Sequence, residues 1–313
     1  MNHKRFLGAA TAALMIVIVI LMLVPGAGAA SKYKVLHKFA LNGKDGKLPL
    51  AGLILDVAGN LYGTTYIGGA YGYGVVFRLA PNADGGWTES VLHSFTGGSD
   101  GKYPGAGLIF DAAGNLYGTT QSGGNLSYCG GQGCGVVFRL TPNSDGSWKE
   151  KVLHQFTGGK SGSGPSGLIL DAAGNLYSTA GGGAYGAGVA FRLAPNSNGG
   201  WKEKVLHQFT GGKDGNGPSG LTLDPSGNLY GTTHSGGNSV CYFGSGCGVV
   251  FMLTADSNGG WHEKPLHAFK NNPGAFPDAG VILDGAGNLY GTTSNYASGE
   301  CEGACGSVFE VTP

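Results

Sequence analysis

Between residues 107 and 156 short apolar runs alternate with turns rich in Gly, Asn and Asp. The run "GLIFD" (107–111) ends in Asp, and "AAGN" supplies turn chemistry, a Gly suited to positive φ beside an Asn. A second β-rich run, "LYGTT", covers 116–120. A variable loop, "QSGGNLSYCGGQGC", leads into "GVVFRLT" (135–141), with two valines and a Phe. After the turn "PNSDGS", the run "WKEKVLHQF" (148–156) alternates with period two, predicting Trp148, Glu150, Val152, His154 and Phe156 on one face. The unit therefore predicts four strands, A to D, joined by hairpin-length connections.

The unit recurs. The phrase "DAAGNLYGTT" at 111–120 has near-copies at 56–65, 171–180, 224–233 and 284–293. The D-strand histidines His37, His93, His154, His207 and His267 are 56, 61, 53 and 60 residues apart. Four antiparallel strands at a period above about 40 residues predict a β-propeller blade. The phase adds to this. A lone D strand, "YKVLHKF" (33–39), opens the repeats, and A, B and C strands close them, the last being "GSVFEVTP" (306–313). The expected fold is all-β: a five-bladed β-propeller with four antiparallel strands per blade, its ring closed by the N-terminal strand completing the last blade.

Composition changes the picture in two places. Gly makes up 63 of 313 residues and charged residues 12%, as in a low-complexity chain. The glycines recur at fixed offsets between aromatic-containing runs, which points instead to a folded chain with tight turns. At the N-terminus, Lys4 and Arg5 precede an apolar run from Phe6 to Val24, followed by "PGAGAAS". This reads as an export signal over 1–29, cut after Ala29, with an uncleaved anchor as the competing reading. Residues 30–313 then form one propeller domain of net charge −2, with no basic footprint for nucleic acid or an anionic membrane.

The six cysteines fall in three close pairs, Cys129/Cys134, Cys241/Cys247 and Cys301/Cys305. In an exported chain they suggest disulfides, and local pairing is the simplest connectivity. Zinc is the alternative, disfavoured because the pairs come from three separate repeats.

The units "GNLYGTT…GG…GVVFRL" resemble the GloVer (Gloeo/Verruco) tandem repeats of exported bacterial proteins with a choice of anchor, over nearly all of 33–313. The resemblance implies export and surface attachment, and no established activity. Many members carry a C-terminal sorting anchor. The chain ends at Pro313, directly after its last strand, so attachment is expected only through the N-terminal segment.

Five copies in one chain provide an internal control. A residue common to all copies answers a need every copy shares, whereas one that varies at a matched position is free to be specific. Asp56, Asp111, Asp171, Asp224 and Asp284 are therefore expected to accept backbone N–H bonds in their own A–B turns rather than to form a carboxylate site. The five "LHxF" histidines are expected to be satisfied between blades by backbone carbonyls, and Trp87, Trp148, Trp201 and Trp261 to pack blades together.

Function is sought where the copies differ. The B–C loops vary most, and the residue after the phrase reads Tyr66, Gln121, Gly181, His234 or Ser294. Tyr66, Tyr71, Tyr128, Tyr185, Tyr242 and Tyr296, set among Ser, Asn and Gly, suit recognition, offering apolar area with a polar tip. The competing reading is that they only cover loop bases. His234 is the non-repeated His at a strand end. In the D–A loops Asp100 and Asp214 could bind Ca²⁺ or sugar hydroxyls, with turn capping as the alternative. No other cofactor is expected.

The expected function is an exported, non-catalytic binding or scaffold propeller, taking a glycan or surface protein through its B–C and D–A loops, as a monomer. A glycoside hydrolase or lyase is the alternative, resting on fold analogy. It would need two unlike carboxylates, and no unique pair is evident. No Ser/His/Asp, phosphate-loop or redox motif is present to suggest other chemistry.

Overall fold

The computed structural model describes residues 32–40, 42–237, 241, 244–270, 274–295 and 305–313. The chain divides into two units, Met1–Leu36 and His37–Pro313. The signal expected over 1–29 lies outside the described residues. Residues 32–36 form neither helix nor strand.

In the second unit the repeat resolves into five main antiparallel sheets, four in the order A-B-C-D and the fifth in the order A-B-C. Sheet one comprises Ile54–Leu55, Leu61–Thr65, Val75–Pro81 and Trp87–Ser94. Sheet two comprises Ile109–Phe110, Leu116–Thr120, Val136–Pro142 and Trp148–Gln155. Sheet three runs from Ile169–Leu170 through Leu176–Ala180 and Val189–Pro195 to Trp201–Gln208. Sheet four has a longer A strand, Asn216–Leu223, before Leu229–Ser235, Val249–Ala255 and Trp261–Ala268. Sheet five holds Ile282–Leu283, Leu289–Thr293 and Ser307–Val311.

Two features differ from the five closed blades expected. A sixth sheet of two short strands pairs Gly46–Lys47 in the first D–A loop with Ile67–Gly68 in the first B–C loop. Sheet five has three strands, because residues 32–40 carry no strand and pair with no sheet among the described residues. Yet Phe39 meets the edge of Phe77 at 5.2 Å, as Phe95 meets Phe138 and Phe156 meets Phe191 at 5.1 Å. The aromatic end of the segment is thus seated on sheet one without the ladder bonds of a strand.

The repeated phrase is a packing device. Asp111 Oδ1 accepts from the backbone N–H groups of Ala113 and Asn115, and Oδ2 from Asn115 Nδ2 and the Tyr117 hydroxyl. The Tyr117 ring then meets Trp201 of the next sheet, as Tyr62 meets Trp148 and Tyr177 meets Trp261. The phrase's Gly is set by close approach. Gly118 lies opposite Phe138, and a Cβ there would fall 2.5 Å from the ring. The two threonines complete the unit: Thr119 Oγ1 donates to Ser166 O on the next sheet, and Thr120 Oγ1 accepts from Val136 N.

The D strand does not keep one face. A bulge between Val152 and His154 shifts the register by one residue. Trp148 and Val152 pack toward sheet one, in the cluster with Tyr62 and Val76, whereas Leu153 and Phe156 pack toward sheet three, with Phe191 and Leu193. His154 accordingly faces Glu203 of sheet three. The single face predicted for Trp148, Glu150, Val152, His154 and Phe156 is thereby corrected. The bulge recurs in sheets one, three and four and lets one strand bind the sheet before it and the sheet after it.

Candidate functional site

Antiparallel order places the A–B and C–D turns at one end of the sheets and the B–C and D–A loops at the other. At the A–B end a cleft of about 600 Å³ lies between sheets one and two, lined by Asp56, Asn60, Tyr62, Arg78 and Trp148 among others. Most of those residues recur at matched positions in other copies, so its size is no argument for specificity. The loop end is where the copies diverge.

The D–A carboxylates at that end are occupied locally. Asp100 Oδ2 lies 3.2 Å from His93 Nε2 and accepts from Thr96 N, while Oδ1 accepts from Thr96 Oγ1. Asp214 makes the same set of contacts with His207 and Thr210, and Asp45 is paired with His37. Three of the five repeated histidines, His37, His93 and His207, thus pair with carboxylates rather than with backbone carbonyls. Burial by itself would raise Asp100, but the bonds from His93 and Thr96 outweigh it and hold the carboxyl below its ordinary range. Glu89 of the following sheet joins the first of these pairs. His37, Asp45 and Glu89 bring their ligand atoms within 4.8 Å of one another. In the third copy Ser161 replaces the aspartate, and His154 Nε2 lies 3.6 Å from Glu203 Oε2. Burial pushes Glu203 up to about 7.

The inner rim of the loop end is built from two matched positions. One is the residue after the phrase; the other precedes the proline of each D–A loop and reads Leu48, Tyr103, Gly164, Gly217 and Phe276. All five hold left-handed backbone, with φ of 60°, 62°, 57°, 68° and 58°. Gly adopts this region freely, whereas Leu, Tyr and Phe are strained there. Three copies therefore keep a bulky side chain where two use the relaxed residue.

Those side chains pair across sheets. Tyr66 stacks on Tyr103 of sheet two at 5.0 Å and 21°, and its hydroxyl donates to Gln121 Oε1 at 3.1 Å. Across sheets four and five, His234 stacks on Phe276 at 5.1 Å, and its Nδ1 lies 2.5 Å from Asp278 Oδ1. Sheet three offers only Gly164 and Gly181. Beside that gap lies a polar cleft of about 360 Å³, lined by Gln121, Ser122, Gln132, Ser163, Gly164 and the Cys129–Cys134 disulfide.

Of the tyrosines singled out in the sequence, Tyr66 is half-buried in this rim, and Tyr71, Tyr128 and Tyr185 are exposed on their loops. Tyr242 and Tyr296 lie outside the described residues. Cys241 and Cys247 are bonded, as are Cys129 and Cys134; the pairing expected for Cys305 involves Cys301, which lies outside the described residues. Sequence reasoning passed over Tyr103, Lys102, Gln132, Phe276 and Asp278. The signal for Tyr103 and Phe276 was present: two of the five pre-proline positions are Gly, which marks a left-handed site.

These features define an all-β repeat protein of antiparallel, mostly four-stranded sheets with a variable loop end. The chain belongs to the Gloeobacter/Verrucomicrobia repeat family, whose model matches residues 23–147 and 126–313. No curated protein matches it. Among solved structures it is similar to a gluconolactonase from Xanthomonas campestris (16% identity, 87% of this chain and 78% of that one, TM-score 0.49). It is also similar to a family 117 glycoside hydrolase from Zobellia galactanivorans (13%, 90% and 89%, TM-score 0.41). A third likeness is to PorZ, a surface component of the type-IX secretion system of Porphyromonas gingivalis (14%, 80% and 32%, TM-score 0.44). At these identities and scores the likenesses carry no functional argument.

Proposed function

We propose that the protein is an exported or surface-attached, non-catalytic binding protein that recognises a glycan through its B–C and D–A loops. The observation that carries this reading is the retention of Tyr103 and Phe276 in left-handed backbone where other copies have Gly. Each such residue costs on the order of 1–2 kcal/mol, and strain of this kind persists where a surface needs the side chain. Stacked rings with hydroxyl and amide groups between them match the alternation of apolar faces and hydroxyls on a sugar. Residues 1–29 would direct export, which the two disulfides favour.

The test is a glycan array probed with the purified, oxidised protein and with Tyr66→Ala and Tyr128→Ala variants. Binding that the substitutions abolish supports the reading; binding they leave untouched places the ligand elsewhere. The second reading, a hydrolase or lyase, draws on the exposed His234–Asp278 pair, the arrangement of an oriented general base. Turnover of an array ligand, lost in His234→Ala, would replace the first reading with the second.

For the fold we propose that sheets one and five face each other in a closed five-bladed ring. Val308 on sheet five is 79% exposed, while its counterparts Val76, Val137, Ala190 and Val250 are each 0% exposed against the following sheet. Leu53 and Leu55 of sheet one are exposed as well. The two uncovered apolar faces belong to the same series of matched interfaces.

A further inference from the structure

Lys102 is the exception at the loop end. It is 7% exposed, whereas Lys47 at the matched position of the first copy is exposed. Its ammonium sits over the rings of Tyr73 and Tyr103, at 5.8 and 5.7 Å, and donates to Gln132 Oε1 at 2.6 Å. Among the described residues no carboxylate pairs with it. A buried cation is normally matched by an anion, because aromatic faces and one neutral acceptor offset only part of its lost hydration.

The neighbouring groups carry this charge to the cleft. An ammonium can only donate, so the Gln132 oxygen must face Lys102 and the amide nitrogen is turned to another side. Gln132 and Gln121 both line the 360 Å³ cleft, and Gln121 Oε1 is held by Tyr66. Two side-chain amides therefore have their oxygens engaged and their N–H groups left to donate, in front of a buried positive charge. Ser122 and Ser163 add hydroxyls, and among the described residues no acidic one lines the cleft. Such a site favours an acceptor bearing negative charge. The cleft is too small for a folded partner, and it opens on the rim where Gly164 and Gly181 leave room for a chain to pass.

We propose that the ligand is an acidic glycan, and that a uronate carboxylate occupies the cleft beside Cys129–Cys134, held by Gln121 and Gln132 with Lys102 behind them. This rests on the glycan-binding reading above and narrows it to one chemical class.

Three probes test it on the full oxidised protein by titration calorimetry: oligogalacturonate, the same oligomer with its carboxyls reduced to neutral sugar, and poly-glutamate. Oligogalacturonate is expected to bind at least about tenfold more tightly than its reduced form. That ratio is expected to shrink with added salt and to vanish in Lys102→Met, a change that also relieves an unmatched buried charge. Comparing two ligands on one protein keeps the test independent of how well a variant folds. Equal affinity for both oligomers, or affinity for the reduced one alone, overturns the acidic ligand while leaving glycan recognition standing. Binding of poly-glutamate with neither oligomer bound overturns both readings in favour of an acidic protein. A wild-type protein that binds none of the three on a correctly folded, disulfide-intact sample overturns the proposal, and the array then decides the broader reading.

Discussion

His93 Nε2 lies 3.2 Å from Asp100 Oδ2, and the pair recurs as His37–Asp45 and His207–Asp214 at 3.2 and 3.0 Å. Each aspartate also accepts from the backbone N–H three residues beyond its histidine, so one carboxylate joins the end of a D strand to the following turn. In the third copy Ser161 offers a hydroxyl instead, and His154 Nε2 is left without a hydrogen-bond partner among the described residues. Ser161→Asp is therefore expected to stabilise the fold by about 1 kcal/mol, and Asp100→Ser to destabilise it by a similar amount. Urea unfolding midpoints check both. A Ser161→Asp protein no more stable than the parent would show that the third turn cannot close around a carboxylate.

Stability should fall as pH rises through neutrality. Burial pushes Glu203 and Glu263 from their ordinary 4.5 to about 7, and it raises Glu89 and Glu150. A group raised by folding contributes stability that is complete below its unfolded value, near 4.5, and lost as pH climbs through about 7. The turn aspartates act in the opposite sense, as do His154 and His267, which burial lowers. Asp111 and Asp171 are held low because hydrogen bonds outweigh their burial, so their contribution is lost as pH falls through those lowered values. The unfolding temperature is expected to be higher near about pH 5 than near about pH 8, and the slope to flatten in a Glu203→Gln, Glu263→Gln double variant. A temperature that stays level or rises over that range contradicts the assignment.

The A–B turn predicts a graded pair. Asp111→Ala removes the acceptor of four hydrogen bonds, and Tyr117→Phe removes the donor of one. Losses of about 2 and about 1 kcal/mol are expected, in that order, from denaturant titrations.

Leu48 offers a test of strain with little packing to lose, since its side chain is exposed. Leu48→Gly relieves a left-handed φ of 60° and is expected to leave stability unchanged or to raise it by about 0.5–1 kcal/mol. The usual result for Leu→Gly in a loop with ordinary backbone is a loss, so the direction of the shift in unfolding temperature decides.

Ring closure can be read from one residue. Val308→Asp on a solvent-facing strand changes stability by less than about 0.5 kcal/mol, whereas at a buried interface the charge costs several kcal/mol. A large loss is expected. A neutral outcome would leave sheets one and five apart.

Much of the architecture was legible because it is local and repeated. The strand sequence A to D follows from alternation and turn residues, and the turn role of Asp111 from its spacing to Gly114 and Asn115. The split faces of the D strand were not legible, because "WKEKVLHQF" alternates cleanly and the bulge at Leu153 is settled by the sheets on either side. The rim was legible only as variation. Tyr66 finds its partners 37 and 55 residues away, and His234 finds Asp278 after 44.

The sequence by itself determined the repeat, its strands, its turns and the two disulfides confined to single loops, since each depends on residues a few positions apart. Tertiary structure alone decided which loop residues meet. It also decided that Lys102 and Lys47, alike in "DGKYP" and "DGKLP", differ in burial. Burial and charge pairing are properties of what the neighbouring sheet brings, and the local pattern around a lysine does not encode its neighbour.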